Sequence, residues 1–101
     1  MLELKYLPSF QQELNAIVEY IIFTLEAPRA ASNLLDELEK SINNLKKFPL
    51  AHRLYRPIKP IATEYRMFTV KNYLVFYVVL NQTIEVHRII YKKRDLSRLI
   101  K

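Results

Sequence analysis

The sequence predicts an α+β domain: a short amino-terminal strand, an antiparallel helical hairpin, and a mainly antiparallel sheet that ends in a three-stranded meander. Three observations predict it. Residues 63–93 form three runs rich in β-branched and aromatic residues, separated by the polar pairs Lys71-Asn72 and Asn81-Gln82, the pattern of strands joined by tight turns. The middle run, Tyr73 to Leu80, is apolar throughout, as a central strand covered on both faces requires. Before the meander, two stretches place apolar residues at helical spacing.

Taken in order, Leu2 to Leu7 reads as a strand. Pro8-Ser9 opens the first helix, and Ser9 with Gln12 matches a capping box, a hydroxyl and an amide that satisfy orphan N–H groups at the helix start. Phe10, Leu14, Ile17, Val18, Ile21, Ile22 and Leu25 make its apolar stripe. Glu26-Ala27-Pro28 breaks it, and Pro28 suits the first turn of the next helix. That helix runs to about Lys47 on a stripe of Ala31, Leu34, Leu35, Leu38, Ile42 and Leu45, with Lys46 and Lys47 opposing the helix dipole. The hairpin is expected to lie on one face of the sheet. Pro49 to Ala62 holds Pro49, Pro57 and Pro60 among His52, Arg53, Arg56 and Lys59, which predicts an extended basic loop. A short basic amphipathic tail follows the meander, with Leu96, Leu99 and Ile100 expected over the Leu74/Phe76 patch.

The turns set a register. Two-residue turns pair Val70 with Tyr73 and Leu80 with Thr83. Arg66 then lies beside Tyr77 and Val86, and Phe68 beside Val75 and Arg88. By alternation, Arg66, Phe68, Tyr73, Val75, Tyr77, Val86, Arg88 and Ile90 share one face. Tyr65, Leu74, Phe76, Glu85, His87, Ile89 and Tyr91 share the other. A slip of one residue exchanges the sets. With no glycine in the chain, asparagine is expected at left-handed turn positions.

Residues 1–101 form one domain, large enough to bury a core unaided. Half of the residues are hydrophobic, and there is no cysteine. Disulfides and thiolate metal sites are thus excluded, and two histidines make a poor zinc set. No cofactor is expected. Phosphate-cradling glycine loops are absent, no run approaches a membrane span, and Met1 to Lys5 lacks the apolar core of a leader. Residues 1–50 hold five Lys/Arg against seven acids, a balance of −2, and residues 51–101 hold eleven against three, a balance of +8. Such asymmetry points to an acidic or polyanionic partner.

The element order, Asn72-Tyr73-Leu74-Val75-Phe76-Tyr77, Arg88-Ile89-Ile90-Tyr91 and Arg94-Asp95-Leu96 together resemble the RelE/ParE superfamily, toxins of bacterial type II toxin–antitoxin modules. The resemblance covers nearly the whole chain and is most specific over residues 65–96. It implies a cytoplasmic, growth-arresting toxin neutralised by a cognate antitoxin that reaches operator DNA itself. RelE-like members cleave mRNA on the ribosome without a metal, whereas ParE-like members poison DNA gyrase without catalysis. In the nucleases an arginine stands where this chain has Leu74. Some also end the last strand with Arg-x-His-Tyr, where Arg88 and Tyr91 match but Ile90 replaces the histidine. The ParE-like pattern, Arg-Val-x-His with Arg-Asp-Leu beyond, is met by Arg88, Ile89, Arg94, Asp95 and Leu96, with Tyr91 in place of the histidine.

Metal-free RNA cleavage needs a base, an acid and cations around a phosphate. Glu85 as base, His87 as acid and Tyr91 as stacking or proton-donating group fit one face of the last strand. His52, Arg53, Lys92, Lys93 and Arg94 are the candidate phosphate contacts. This constellation and the basic half tip the expectation to ribosome-dependent mRNA cleavage, with gyrase inhibition, which Leu74 favours, as the alternative. A non-toxic RNA-binding module is a third reading. Arg66 and Arg88, on the helix face, are expected to pair with helix carboxylates such as Glu19, Asp36 or Glu39, and Phe68, Tyr73 and Tyr77 to be core.

Overall fold

The computed structural model describes residues 2–57, 61–94 and 96. Strand β1 (Glu3–Tyr6) precedes α1 (Pro8–Glu19), a π-helical turn (Tyr20–Thr24) and α2 (Pro28–Lys47). The meander comes next as β2 (Arg66–Val70), β3 (Tyr73–Leu80) and β4 (Thr83–Tyr91). The sheet order is β1-β4-β3-β2, with β1 parallel to β4 and the other pairs antiparallel. The expected α+β architecture is therefore present. Among the described residues, no helix is long and apolar enough to cross a membrane.

Apolar burial explains the layering. One cluster, with Leu34, Leu45, Val75, Tyr77, Val86 and Ile89 at its centre, fills the space between helices and sheet. Phe68 and Tyr77 are buried there as expected, with Tyr73 half-buried against them. A second cluster, Leu74, Phe76 and Ile90, lies on the far face under Tyr55, Ile61, Tyr65, Met67 and Leu96. So β3 is covered on both faces, by helices and by a loop, and Leu96 sits over the patch expected for it. Leu99 and Ile100 lie outside the described residues.

The β2–β3 register is the predicted one, from Arg66↔Tyr77 to Val70↔Tyr73. The β3–β4 register agrees from Leu80↔Thr83 to Tyr77↔Val86 and then shifts, so that Phe76 pairs with Arg88. His87 is thus an extra residue, a β-bulge, which bends the strand and re-aims the side chains beyond it. Val75 lies beside Ile89 and not Arg88, Leu74 beside Ile90, and Tyr73 beside Tyr91. The alternation is inverted past the bulge: Ile89 joins the helix-side cluster and Ile90 the far one.

The helix starts and turns also depart from expectation. Leu7 is the N-cap of α1, without a side-chain cap, and Pro8 occupies the first turn. There is no capping box: Ser9 donates its hydroxyl to the His87 carbonyl at 2.7 Å. Tertiary pairing wins because Pro8 has no N–H to satisfy, while β4 continues beyond β1 and needs partners on its outer edge. Leu7 N–H donates to the Val86 carbonyl (3.0 Å) and Ile89 N–H to Glu13 Oε1 (3.2 Å). The first turns of α1 therefore close an edge that would otherwise template foreign strands.

The first apolar stripe loses its phase in the π-helical turn, where Leu25 N–H reaches the Tyr20 carbonyl (3.0 Å) and Ala27 N–H that of Ile21 (3.0 Å). The widened turn admits one extra residue. Ile21 stays buried, but Phe23 and Leu25 are exposed. Glu26 then takes a left-handed φ of 52° and Lys71 one of 53°. Asparagine holds neither position; in both turns the tight reversal fixes the backbone whatever the side chain. In α2 the stripe is buried except for Leu35, which lies on its flank. The loop after α2 does more than connect: Leu54 bridges to Arg66, flanked by Tyr55 N–H to the Tyr65 carbonyl (2.8 Å) and Met67 N–H to that of Arg53 (3.0 Å).

Candidate functional site

Glu85 and His87 come together as the alternation on β4 requires. Glu85 Oε1 lies 3.0 Å from His87 Nε2. The other ring nitrogen, Nδ1, is 3.0 Å from the Tyr65 hydroxyl, and the two rings meet edge-to-face at 5.2 Å. Burial pushes the Tyr65 phenol above its usual range, more than nearby Arg88 draws it down. The Glu85 carboxylate can only accept, so Nε2 carries the hydrogen it receives, and in that tautomer Nδ1 accepts from the Tyr65 hydroxyl. The result is a chain, Tyr65 to His87 to Glu85, in which both imidazole nitrogens are occupied. Acid–base work on a substrate would first have to break one of these bonds.

Tyr91 does not join them. The bulge places it beside Tyr73, with ring centroids 5.9 Å apart, and Tyr73 packs against the helix-side core. The expectation that Tyr91 shares a face with Glu85 and His87 is corrected on this geometry. Tyr65 supplies the hydroxyl instead. The signal was its position one residue before the Arg66–Tyr77–Val86 row, on the face of Glu85.

The cations divide into two groups. His52 stands apart from the exposed cations: its ring packs at 5.0 Å on Phe68 and 6.2 Å on Tyr77. Burial holds its pKa below the usual 6.5, since a desolvated imidazole resists charge. Arg53, Lys92, Lys93 and Arg94 are exposed. The folded state disfavours protonated His52 and the unfolded state does not, so stability is full above pH 6.5. It declines as pH falls through 6.5 toward the lower folded value. His52→Gln is expected to flatten that decline; melting temperatures of both proteins between pH 7.5 and 5 check it, and parallel curves would refute it.

Arg66 and Arg88 are both engaged, though not as foreseen: past the bulge Arg88 pairs with Phe76 of the far cluster and so leaves the helix face expected for it. Arg88 forks onto Glu13, with Nη2 to Oε2 at 2.6 Å and Nε to Oε2 at 2.9 Å. The hydrogen bond to Glu13 raises its pKa further, against a smaller opposing effect of burial. The helix carboxylate is therefore Glu13, not Glu19, Asp36 or Glu39. It lies beside β4 because α1 starts at that strand's edge. Arg66 meets carbonyls instead of a carboxylate, through Nη1 to His52 (2.8 Å) and Leu50 (3.4 Å). Among the described residues, no group of three His, Cys, Asp or Glu side chains is placed to hold a metal.

The family model of the ParE toxin of type II toxin–antitoxin systems, parDE, matches residues 4–96. A solved structure titled "Chromosomal ParDE TA system from P. aeruginosa" shares the fold with a TM-score of 0.70 at 19% identity, over 90% of this chain and 96% of that one. A comparison with curated proteins returns no match.

Proposed function

Because the chain belongs to the ParE toxin family of type II toxin–antitoxin systems, we propose that it arrests growth by binding DNA gyrase, without catalysis. A cognate antitoxin neutralises it and carries the contact with operator DNA. The observation that supports binding over catalysis is the bulge at His87. A nuclease reading built on Glu85, His87 and Tyr91 needs all three around one phosphate, and the bulge sends Tyr91 to the other side of the sheet. Leu74, where the nucleases carry an arginine, is packed into the far-face cluster, so no cation stands at that position of β3 to meet a pentavalent phosphate.

The Tyr65–His87–Glu85 chain favours one second reading, metal-free cleavage of mRNA on the ribosome, with Tyr65 in the role foreseen for Tyr91. The test is tightly controlled expression with thymidine and amino-acid incorporation followed over the first minutes. The expected result is early loss of DNA synthesis with intact transcripts, unchanged by His87→Ala. Early loss of translation with cut transcripts, abolished by His87→Ala and Tyr65→Phe, would replace the gyrase reading with the nuclease one. No arrest at all would leave an RNA-binding module.

A further inference from the structure

We propose that the groove where residues 53–56 run beside the start of β2 binds the carboxylates of an extended acidic segment of a partner protein. The groove encloses about 630 Å³ and is lined by Arg53, Leu54, Tyr55, Arg56, Arg66 and Met67. Three guanidiniums and no carboxylate lie among these residues. Arg66 is anchored through Nη1 on the His52 and Leu50 carbonyls. Its Nε and Nη2, and the side chains of Arg53 and Arg56, have no acceptor among the described residues. A guanidinium held in this way offers a carboxylate a pre-set fork. Leu54 and Met67 add apolar wall between the charges. An extended segment that alternates acidic and apolar side chains matches that lining. The adjoining cleft, where Glu64 lies with Arg56, Ala62 and Thr63, ends the positive run.

Charge complementarity selects an acidic ligand, and a lining with a single aromatic ring, Tyr55, selects peptide over single-stranded nucleic acid. That ring lies 5.3 Å from Phe76 at 83°, as part of the cover of the far cluster. Sequence-tolerant nucleic-acid grooves stack successive bases on several aromatic faces. The groove also lies in the half of the chain that carries +8. The inference rests on the toxin reading for the source of the segment, the neutralising antitoxin. It does not depend on which target the toxin arrests.

Fluorescence anisotropy of the full chain with a labelled short peptide of alternating glutamate and leucine tests it, at near-physiological salt. The expected result is binding that Arg53→Gln with Arg56→Gln weakens about tenfold or more, as loss of charge-assisted hydrogen bonds implies. Both side chains are exposed, and an unchanged melting temperature shows the fold intact. Replacing Lys92, Lys93 and Arg94 by glutamine is expected to leave the affinity within a fewfold. Equal loss in both variants, equal binding of the glutamine–leucine peptide, or tighter binding of a short single-stranded DNA would each overturn the proposal. Growth arrest is read separately, so failure of the groove and failure of the toxin reading are distinguishable.

Discussion

Replacing Tyr77 with alanine is expected to lower the melting temperature by about 15–30 °C, enough to unfold most of the protein at growth temperature. The ring is fully buried at the centre of the helix-side core. It packs on Phe68 with centroids 6.0 Å apart, and its hydroxyl donates to the Pro49 carbonyl at 2.8 Å. Removing a buried aromatic ring costs ~3–5 kcal/mol through lost transfer energy and the cavity left behind, against a total of ~5–15 kcal/mol for a domain of this size. Tyr77→Phe separates the two contributions. It keeps the packing and strands the Pro49 carbonyl, which costs ~1–2 kcal/mol. Equilibrium denaturation of both variants checks this. Equal losses would show that the hydroxyl, not the ring, holds the loop to the sheet.

The second large effect is expected at Glu13. One carboxylate accepts from Arg88 and from the Ile89 N–H, so Glu13→Ala removes two links between α1 and β4 together. Breaking a buried pair by removing one partner costs ~3–5 kcal/mol. Both side chains are about a quarter exposed, and solvent screening reduces the figure to ~2–3 kcal/mol. Glu13→Ala with Arg88→Met is expected to cost less than the sum of the single changes. Amide exchange adds a local readout, since the Ile89 amide loses its acceptor and should exchange faster in Glu13→Ala. Continued protection of that amide would mean that the carboxylate is dispensable to the edge.

These contacts mark where sequence reasoning stops. The meander is legible because three runs of Val, Ile, Tyr and Phe carry the strand signal, and two-residue turns leave few registers. That reasoning places Arg66 beside Tyr77 and Tyr77 beside Val86, as found. It fails at His87 because a bulge needs no glycine and leaves the local composition unchanged. One inserted residue then carries Tyr91 away from Glu85 and His87. Ser9 misleads for a related reason: a hydroxyl two residues from a helix start looks like a cap, and its use on β4 is visible only when the chain is closed. Leu25 reads as core only while α-helical spacing is extended through what is a π-helical turn. The family resemblance, by contrast, rests on residues 65–96 and on element order, and neither depends on the bulge. The sequence therefore identifies the family more securely than it does the side chains that meet.

The closure of β4 by the amino-terminal segment has a consequence for how the protein is made. Leu7, Ser9 and Glu13 find their partners at Val86, His87, Arg88 and Ile89, and β1 pairs with β4 alone. The first elements to leave the ribosome therefore wait for the last strand. Contacts of such long sequence separation form late, because the loop between them must close first. Until residue 91 has emerged, the nascent chain holds β1 without its pairing partner and α1 without the strand on which it docks. Translation that stops early thus releases a chain without a complete sheet, a substrate for chaperones and proteases rather than a partly active fold.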